Sequence, residues 1–326
     1  MLDGKVVVTG AAGFIGSTLC KRIAEAHPLA ELVMIDRFND YYPRALKDLA
    51  IGTIAPDAGR LLEIDLADAD LGDAVSDARF VFHLAGQPGV RPSWGESFGS
   101  YVTDNVNATQ RLLEAVRSHA PAAKLVYASS SSVYGDAESY PTTEMTLPAP
   151  KSPYGVTKLA GEHLVSLYAR NLGLDTVSLR YFTVFGPGQR PDMAFTRFCV
   201  WALTGQPITV YGDGSQIREF TYVEDIVSAN IAAALAGTTA GEVVNVSGGA
   251  SVSLLETLET LRGIAGGTLD VDFQLGALGD VHRTGADPAK ARRVLDWAPA
   301  VDLEDGLRQQ FEWVREHLDV VGPAVL

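Results

Sequence analysis

A tyrosine and a lysine stand four residues apart in the segment SPYGVTKLAGEH, at Tyr154 and Lys158. On a helix this spacing sets both side chains on one face. An ammonium group near a phenol stabilises the phenolate and lowers the pKa of the phenol, which gives a base that works near neutral pH. The segment therefore predicts proton abstraction from a substrate hydroxyl. For an isolated pair of this spacing, a surface tyrosine beside a solvated lysine is the plainer interpretation.

Four serines, residues 129–132, follow the apolar run KLVYA, which predicts a buried strand. They place hydroxyl groups at the end of that strand, and no acidic residue stands among them. A polar turn would explain such a row by itself. A row of neutral hydrogen-bond donors at the mouth of a sheet is also what a polar ligand requires.

The segment TGAAGFIG joins the first predicted strand to the first predicted helix. Its glycines are Gly10, Gly13 and Gly16. Glycine at such a junction permits a tight turn and lets a pyrophosphate approach the helix N-terminus. Asp36 ends the second predicted strand, where a carboxylate accepts hydrogen bonds from an adenosine ribose and repels a 2′-phosphate. The pattern favours NAD over NADP, while the neighbouring Arg37 is a residue type that accommodates a phosphate.

Apolar strand-like runs alternate with helical periodicity from the start of the chain to Tyr181. Continuous apolar strands between helices are typical of a parallel sheet covered on both faces, so we expect an α/β fold with a doubly wound (Rossmann) sheet and a smaller C-terminal α/β domain. The NAD-binding domain is expected to span residues 1–182 plus about 224–246. The second domain is expected to span about 183–223 plus 247–326. Long helices are predicted from Phe98 to His119 and from Tyr154 to Asn171.

The composition excludes several classes of protein. The 326 residues carry a net charge of −14, which argues against nucleic acid as a partner. No apolar run approaches the roughly 18 residues of a membrane helix, and the chain enters a strand at once, so we expect a cytoplasmic protein with no membrane partner. Two cysteines and six histidines show no metal-ligand spacing, so we expect buried free thiols and no metal.

The combination of TGAAGFIG, Asp36, HLAG, SSSSVYG, YGVTK and RYFTVFGPGQRPDM resembles the extended short-chain dehydrogenase/reductase family, in particular its nucleotide-sugar epimerases. The resemblance covers nearly the whole chain and implies a nucleoside diphosphate sugar held between the two domains. It implies that Tyr154 is the base, that Lys158 also contacts the nicotinamide ribose, and that Ser130 assists the base. It also implies a homodimer that pairs the two long helices. The cofactor contacts expected from the motifs are Gly10, Gly13, Phe14, Ile15, Gly16, Asp36, Asp65, Leu66, Leu84, Ala85, Gly86, Tyr154 and Lys158.

The two serines after Ser130 bear on the type of reaction. In the related dehydratases and decarboxylases, one or both of the positions of Ser131 and Ser132 carry an acid that can protonate a leaving group. Neither is acidic here. Oxidation and re-reduction at one carbon need only the tyrosine, the lysine and NAD, so the absence favours an epimerase over a lyase.

The sugar is indicated by Thr183 and GQRPDM, where the chain is similar to UDP-glucuronate 4-epimerases. We expect Ser131, Ser132 and Thr183 to bind a sugar carboxylate, and Arg190 to approach the diphosphate or the sugar. Further candidates for the nucleotide are Arg91, Arg218, Asp280 and Arg283. Asp65 follows a predicted strand, where it either contacts the adenine or caps a helix.

Three classes of function remain open at this point. The first is a 4-epimerase of a UDP-sugar, either UDP-glucuronate or a UDP-glucose or UDP-N-acetylglucosamine relative. The second is a lyase on the same substrates, a UDP-glucuronate decarboxylase or a nucleotide-sugar dehydratase. The third is a non-catalytic NAD-binding sensor, which would be expected to lack the Tyr154 and Lys158 pair.

Overall fold

Strands and helices largely alternate up to Tyr181 in the computed structural model, which describes residues 1–137, 139–275 and 281–326. The strands are β1 (Gly4–Thr9), β2 (Ala30–Asp36), β3 (Gly59–Glu63), β4 (Ala78–His83), β5 (Lys124–Ser130), β6 (Asp175–Tyr181), β7 (Val184–Phe185), β8 (Ile208–Tyr211), β9 (Ile217–Glu219), β10 (Thr221–Tyr222), β11 (Glu242–Val246), β12 (Ser251–Ser253) and β13 (Val271–Gln274). The α-helices are α1 (Phe14–Ala26), α2 (Arg44–Gly52), α3 (Gly72–Val75), α4 (Phe98–Val102), α5 (Ala108–His119), α6 (Pro153–Leu172), α7 (Ala194–Thr204), α8 (Val223–Leu235), α9 (Leu254–Ala265), α10 (Ala289–Leu295), α11 (Leu303–Glu316) and α12 (Leu318–Val325).

The central sheet has seven strands in the order β3-β2-β1-β4-β5-β6-β11, and every neighbouring pair is parallel. Strand order reverses between β1 and β4, and a doubly wound sheet binds its ligand in the crevice at such a switch point, beyond the carboxyl ends of the strands. The predicted doubly wound parallel sheet is confirmed.

The sheet is covered on both faces, as its apolar strands require. In β1, Val6 and Val8 belong to one core and Val7 to the other, because successive side chains of a strand point to opposite faces. Leu19 of α1 packs in the first core and Leu112 of α5 in the second. Burial on both sides fixes the register of the strands and hence the positions of the loops that follow them.

The C-terminal region adds three short two-stranded sheets, which pair β7 with β10, β9 with β12 and β8 with β13. Residues 242–246 return to the central sheet as β11, beside β6. The division of the chain into two domains at the predicted boundaries stays a prediction.

The helix that carries Tyr154 and Lys158 has defined ends. Ser152 accepts a hydrogen bond from the Gly155 N–H (3.1 Å) at its start, and Gly173 ends it in the left-handed conformation with φ +74°. The helix predicted from Phe98 to His119 is instead interrupted by a π-helical turn, Thr103–Asn107, between α4 and α5. Within the described ranges, no helix is both long and apolar enough to cross a membrane.

Candidate active site

The glycine-rich turn between β1 and α1 is shaped for close approach. Gly10 has φ +70°, and a Cβ atom there would lie 2.8 Å from the Ala85 backbone nitrogen, so a side chain does not fit. Gly13 caps α1 without a side-chain hydrogen bond, and the first turn of the helix carries no acidic residue. The first N–H groups and the positive end of the helix dipole therefore face the cleft, which is the arrangement that binds a pyrophosphate.

Asp36 lies at the carboxyl end of β2, beside this turn. One carboxylate oxygen accepts a hydrogen bond from the Ala12 N–H (3.0 Å) and the other from the Phe38 N–H (2.8 Å). The carboxylate is thus fixed against the glycine-rich turn, and its remaining lone pairs can accept from the hydroxyls of a ribose. This position agrees with the expected ribose contact.

Arg37, the residue that left room for NADP, is held by two carboxylates. Its guanidinium donates two hydrogen bonds to Asp104, at 2.8 and 2.5 Å, and one to Asp65 at 3.0 Å. Asp65 also accepts from the Ala67 N–H at 2.9 Å, so it closes a turn after β3. With its charge paired twice, Arg37 is poorly placed to neutralise a 2′-phosphate, which favours NAD.

Tyr154 and Lys158 lie on the first turns of α6 at the carboxyl end of β5. The Tyr154 phenol lies close enough to Ser130, the last residue of that strand, for the serine side chain to lower its pKa. Lys158 is 6% exposed, and burial lowers its pKa to about 8. The structure thus brings together the three side chains expected to carry the chemistry.

The pKa of Tyr154 differs from the expectation. Burial raises it above the ordinary value of a phenol, while the hydrogen bond with Ser130 and the positive charge of Arg190 lower it in part. The spacing of Tyr154 and Lys158 indicates a stabilising ammonium, but it does not reveal the cost of placing a phenolate in a buried site. The groups that lower the pKa of Tyr154 in this structure are therefore Ser130 and Arg190.

A cleft joins these groups along the carboxyl edge of the sheet. Its wall contains every residue predicted to contact the cofactor: Gly10, Gly13, Phe14, Ile15, Gly16, Asp36, Asp65, Leu66, Leu84, Ala85, Gly86, Tyr154 and Lys158. The cleft is lined by an uncapped helix N-terminus, a fixed carboxylate and a buried tyrosine and lysine. The residues present therefore fit a dinucleotide.

The hydroxyls expected to bind the sugar follow strands that end at the same edge of the sheet, but they are not part of the cleft wall, so their contact with a sugar stays a prediction. Ser131 and Ser132 are half-buried on a short 3₁₀ turn after β5. Thr183, also half-buried, follows β6, and Ser130 and Tyr181 are direct partners in the pairing of these two strands. The ends of neighbouring parallel strands therefore bring the two groups of hydroxyls to the same edge of the sheet.

The predicted arginines are spread over several elements. Arg190 lies in the cleft wall, where its guanidinium donates two hydrogen bonds to Asp192, both at 2.9 Å. Arg91 stacks on the Tyr211 ring at 4.3 Å. Arg218 donates to the His282 carbonyl (3.2 Å), next to Arg283, whose guanidinium lies 4.9 Å from the centre of the Tyr140 ring.

These arginines differ in their relation to the cleft. Arg91, Arg218 and Arg283 are not part of the cleft wall around Tyr154, so their contact with a nucleotide stays a prediction. Asp280, the remaining candidate, lies outside the described residues.

Comparison with known proteins agrees with this geometry. The family model described as the NAD dependent epimerase/dehydratase family matches residues 6–247. This chain belongs to the NAD dependent epimerase/dehydratase family. The predicted family, the prediction of an enzyme and the prediction of NAD as its cofactor are confirmed.

Several family members resemble this chain over nearly its whole length. The Bacillus cereus UDP-glucuronic acid 4-epimerase, solved with UDP-glucuronic acid and NAD, is 41% identical, with a TM-score of 0.92 and coverage of 96% of this chain and 99% of that chain. MoeE5, solved with UDP-glucose and NAD, is 40% identical, with a TM-score of 0.87 and coverage of 97% and 100%. The UDP-glucuronate 4-epimerase of Thermodesulfobacterium geofontis is 32% identical over 323 residues, 98% of each chain.

Some residues of this epimerase-family site were not predicted from the sequence. Asp104 and Asn105 reach it from the π-helical turn, and Asn105 accepts from the Gln87 N–H at 2.7 Å. Lys47 is 4% exposed in the cleft wall and donates to the Asn39 carbonyl (2.8 Å) and side-chain oxygen (2.6 Å). The sequence signal for Asp104 and Asn105 was the presence of two adjacent polar residues within an apolar helical pattern. The sequence offered no such signal for Lys47.

Proposed function

We propose that this chain catalyses the NAD-dependent 4-epimerisation of a UDP-sugar, and that the sugar is UDP-glucuronate, converted to UDP-galacturonate. The observation that carries the proposal is the placement of the buried Tyr154 and Lys158 in the wall of a cleft that fits a dinucleotide, with Ser130 close to the Tyr154 phenol. Ser131, Ser132 and Thr183 follow the strands that end at the same edge of the sheet, and neither serine position carries a carboxylate.

In the proposed reaction Tyr154 accepts the proton of the sugar 4-hydroxyl. Ser130 forms hydrogen bonds with the Tyr154 phenol and with the sugar 4-hydroxyl. NAD, when bound, supplies the chemistry of accepting the hydrogen of carbon 4 as a hydride and returning it. The 4-keto sugar turns about its diphosphate so that its other face is presented. Tyr154 then gives the proton back to the 4-oxygen, and the cofactor ends each turnover in its starting state.

The sugar carboxylate makes demands on the site that a neutral sugar does not. Oxidation of glucuronate at carbon 4 gives a β-keto acid, which loses carbon dioxide when its carboxyl bond aligns with the carbonyl π system. Hydroxyls of Ser131, Ser132 and Thr183 that hold the carboxylate keep it out of that alignment. Hydrogen bonds to a charged acceptor contribute about 1.5 to 3 kcal/mol each, so neutral donors can hold the anion.

UDP-glucose is the second candidate, because a relative of similar identity has been solved with UDP-glucose and NAD. The two are separated by incubating the purified protein with each substrate and resolving the products by anion-exchange chromatography. We expect UDP-galacturonate from UDP-glucuronate and little or no UDP-galactose from UDP-glucose. Turnover of UDP-glucose alone would contradict the proposed sugar, and a pentose product would contradict the epimerase.

Replacement of Thr183 or Ser132 by Ala tests the role of the hydroxyls. We expect a larger share of carbon dioxide and UDP-pentose among the products, because the carboxylate is held less firmly. The measurement is carbon dioxide release from carboxyl-labelled UDP-glucuronate. The matched control is Thr204→Ala, which removes a hydroxyl bonded only within α7. Unchanged release in both site variants would show that these hydroxyls do not position the carboxylate.

We further propose that the protein is a homodimer that pairs α5 and α6 of the two copies. On α6, Val156, Leu167 and Leu172 are 48%, 51% and 53% exposed. Covering such side chains removes apolar surface from water. Light scattering should give twice the chain mass for the wild type and the single-chain mass for Leu167→Glu. A monomeric wild type would contradict the proposed pairing.

A further inference from the structure

A buried ion pair lies directly behind the proposed active site. Glu162 of α6 and Arg180 of β6 are 2% and 4% exposed, and they share two hydrogen bonds, at 2.6 and 2.9 Å. A buried charge pair is weak evidence for stability, because removing two charges from water offsets much of their attraction. The role of the pair is therefore indicated by the side chains that it holds in place.

Each member of the pair has a further partner near the row of serines. Glu162 accepts a hydrogen bond from the Ser129 hydroxyl at 2.6 Å. Arg180 donates to the Tyr134 hydroxyl at 2.6 Å and lies 4.7 Å from the centre of the Tyr134 ring. The Tyr134 hydroxyl in turn donates to the Asn245 side chain of β11 at 2.7 Å. Each charge thus has a directional hydrogen bond beyond those within the pair.

The two outer partners bracket the residues proposed to contact the sugar. Ser129 immediately precedes residues 130–133, and Tyr134 immediately follows them. The ion pair therefore fixes both ends of the segment that presents Ser130, Ser131 and Ser132. It also gives a role to Ser129, whose hydroxyl is bound to Glu162.

The same ion pair is anchored on the helix of the base. Glu162 stands four residues after Lys158 and eight after Tyr154, so the three side chains share one face of α6. The contact between helix and serine segment is close, since a Cβ atom on Gly155 would lie 2.6 Å from the Ser132 carbonyl oxygen. A shift of the segment therefore changes the distance between Ser130 and Tyr154.

We propose that Glu162, Arg180, Ser129 and Tyr134 form a positioning network that holds the segment 130–132 in register with Tyr154. Ser129 is part of the cleft wall, but its hydroxyl is bound to Glu162, and the network acts through the alignment of Ser130. The inference rests on the proposed function, because the activity assay uses the UDP-sugar that this function names. The positioning of residues 130–132 by the network does not depend on which sugar is bound.

The sharpest variants remove one hydroxyl each and leave the ion pair intact. They are Ser129→Ala and Tyr134→Phe. Removal of Glu162 would leave Arg180 buried without its counter-charge and is expected to unfold the chain. The matched control is Tyr222→Phe, which also loses a single buried hydroxyl, one that donates to Gln309 at 2.7 Å in the C-terminal region.

Turnover is the first readout, measured with whichever UDP-sugar the wild type converts. We expect each network variant to lose about tenfold in kcat with the KM changed less than about threefold, a barrier increase of about 1.4 kcal/mol. The Tyr222→Phe control should keep wild-type kcat. Wild-type kcat in both network variants, at equal folded fraction, would overturn the proposal.

The pH profile separates positioning from a general loss of stability. The groups that act on the Tyr154 phenol are Ser130, Arg190, Tyr101 and Tyr127, and the Lys158 ammonium lies over the Tyr127 ring. A weaker bond from Ser130 raises the pKa of Tyr154, so the acid limb of kcat should move to higher pH in Ser129→Ala and Tyr134→Phe. If kcat falls but the acid limb of its pH profile does not move, the loss of kcat is due to a loss of folded protein. That result would contradict the proposal.

Amide hydrogen exchange gives a test without any substrate. Peptides that cover residues 128–135 should exchange faster in both network variants and at the wild-type rate in Tyr222→Phe. Unchanged exchange would overturn the positioning network. A wild type that converts no UDP-sugar would instead contradict the proposed function, and the exchange result would still decide the network.

Discussion

The cofactor side and the sugar side of the cleft are built differently. On the cofactor side, backbone turns at the ends of β1, β2 and β4 form the wall, and contacts such as Ala12 to Asp36 link adjacent strands. On the proposed sugar side, Arg190 in the cleft wall is paired with Asp192, and Arg91, which lies outside that wall, reaches Tyr211 from a segment distant in sequence. The first side follows from the geometry of the parallel sheet. The second depends on long side chains, so a few substitutions can change the sugar while the cofactor stays the same.

Tyr154 stands where the two sides meet, and its replacement should have the largest effect. Tyr154→Phe removes the proton acceptor without changing the packing of the ring, so we expect kcat to fall by about 10² to 10⁴. Bound NAD should remain, because the other cofactor contacts are intact. The measurement is the steady-state rate together with the dinucleotide released on denaturation. Full turnover in this variant would remove Tyr154 from the chemistry.

Lys158 should govern the alkaline limb of the pH profile. Since its pKa is lowered to about 8, its ammonium is lost above about pH 8, and kcat of the wild type should decline there. Arginine keeps its charge beyond pH 12, so Lys158→Arg should have a lower kcat, by about tenfold, and no decline near pH 8.

The control for this prediction is Lys47→Arg, at the other buried lysine of the cleft wall. It should keep the decline near pH 8. A decline that persists unchanged in Lys158→Arg would show that another group controls it.

The smallest expected effect concerns the cofactor side alone. Asp104→Asn removes one of the two carboxylates that pair with Arg37, which frees the guanidinium for a 2′-phosphate. Because Asp65 remains, we expect NADP to bind no more than about tenfold more tightly, a gain of about 1.4 kcal/mol at most. Titration of dinucleotide-free protein with NADP measures it, and Asp48→Asn, at an exposed carboxylate near Arg44, is the control. No change in NADP affinity would mean that Asp36 alone excludes the phosphate.

The cofactor side could be predicted from the sequence because its signals are local. Gly10 and Asp36 each follow a predicted strand, and parallel strands bring such positions to one edge. Asp104 could not be placed in advance, because a π-helical turn inside a predicted continuous helix changes which residues face the cleft. The ionisation of Tyr154 was misjudged for another reason: burial is a property of the whole fold and is not visible in the spacing of two residues.

The sugar side was harder to predict for a physical reason. Arg218 and Arg283 were named from sequence patterns, and they do lie near each other, since Arg218 donates to the carbonyl of His282. Their distance from the cleft wall depends on how loops from the C-terminal region pack, and loops lack the repeating register of a sheet. The network of Glu162 and Arg180 had one sequence signal, the spacing of four residues from Lys158.

The measurement that tests the central claim most directly follows the hydrogen at carbon 4 of the sugar. UDP-glucuronate carrying deuterium at that carbon is converted in ordinary water, and the product is analysed by mass spectrometry and NMR. Transfer to a cofactor and return within one site predicts UDP-galacturonate that keeps the deuterium at carbon 4. Loss of the label to solvent, or product labelled from heavy water, would contradict the account.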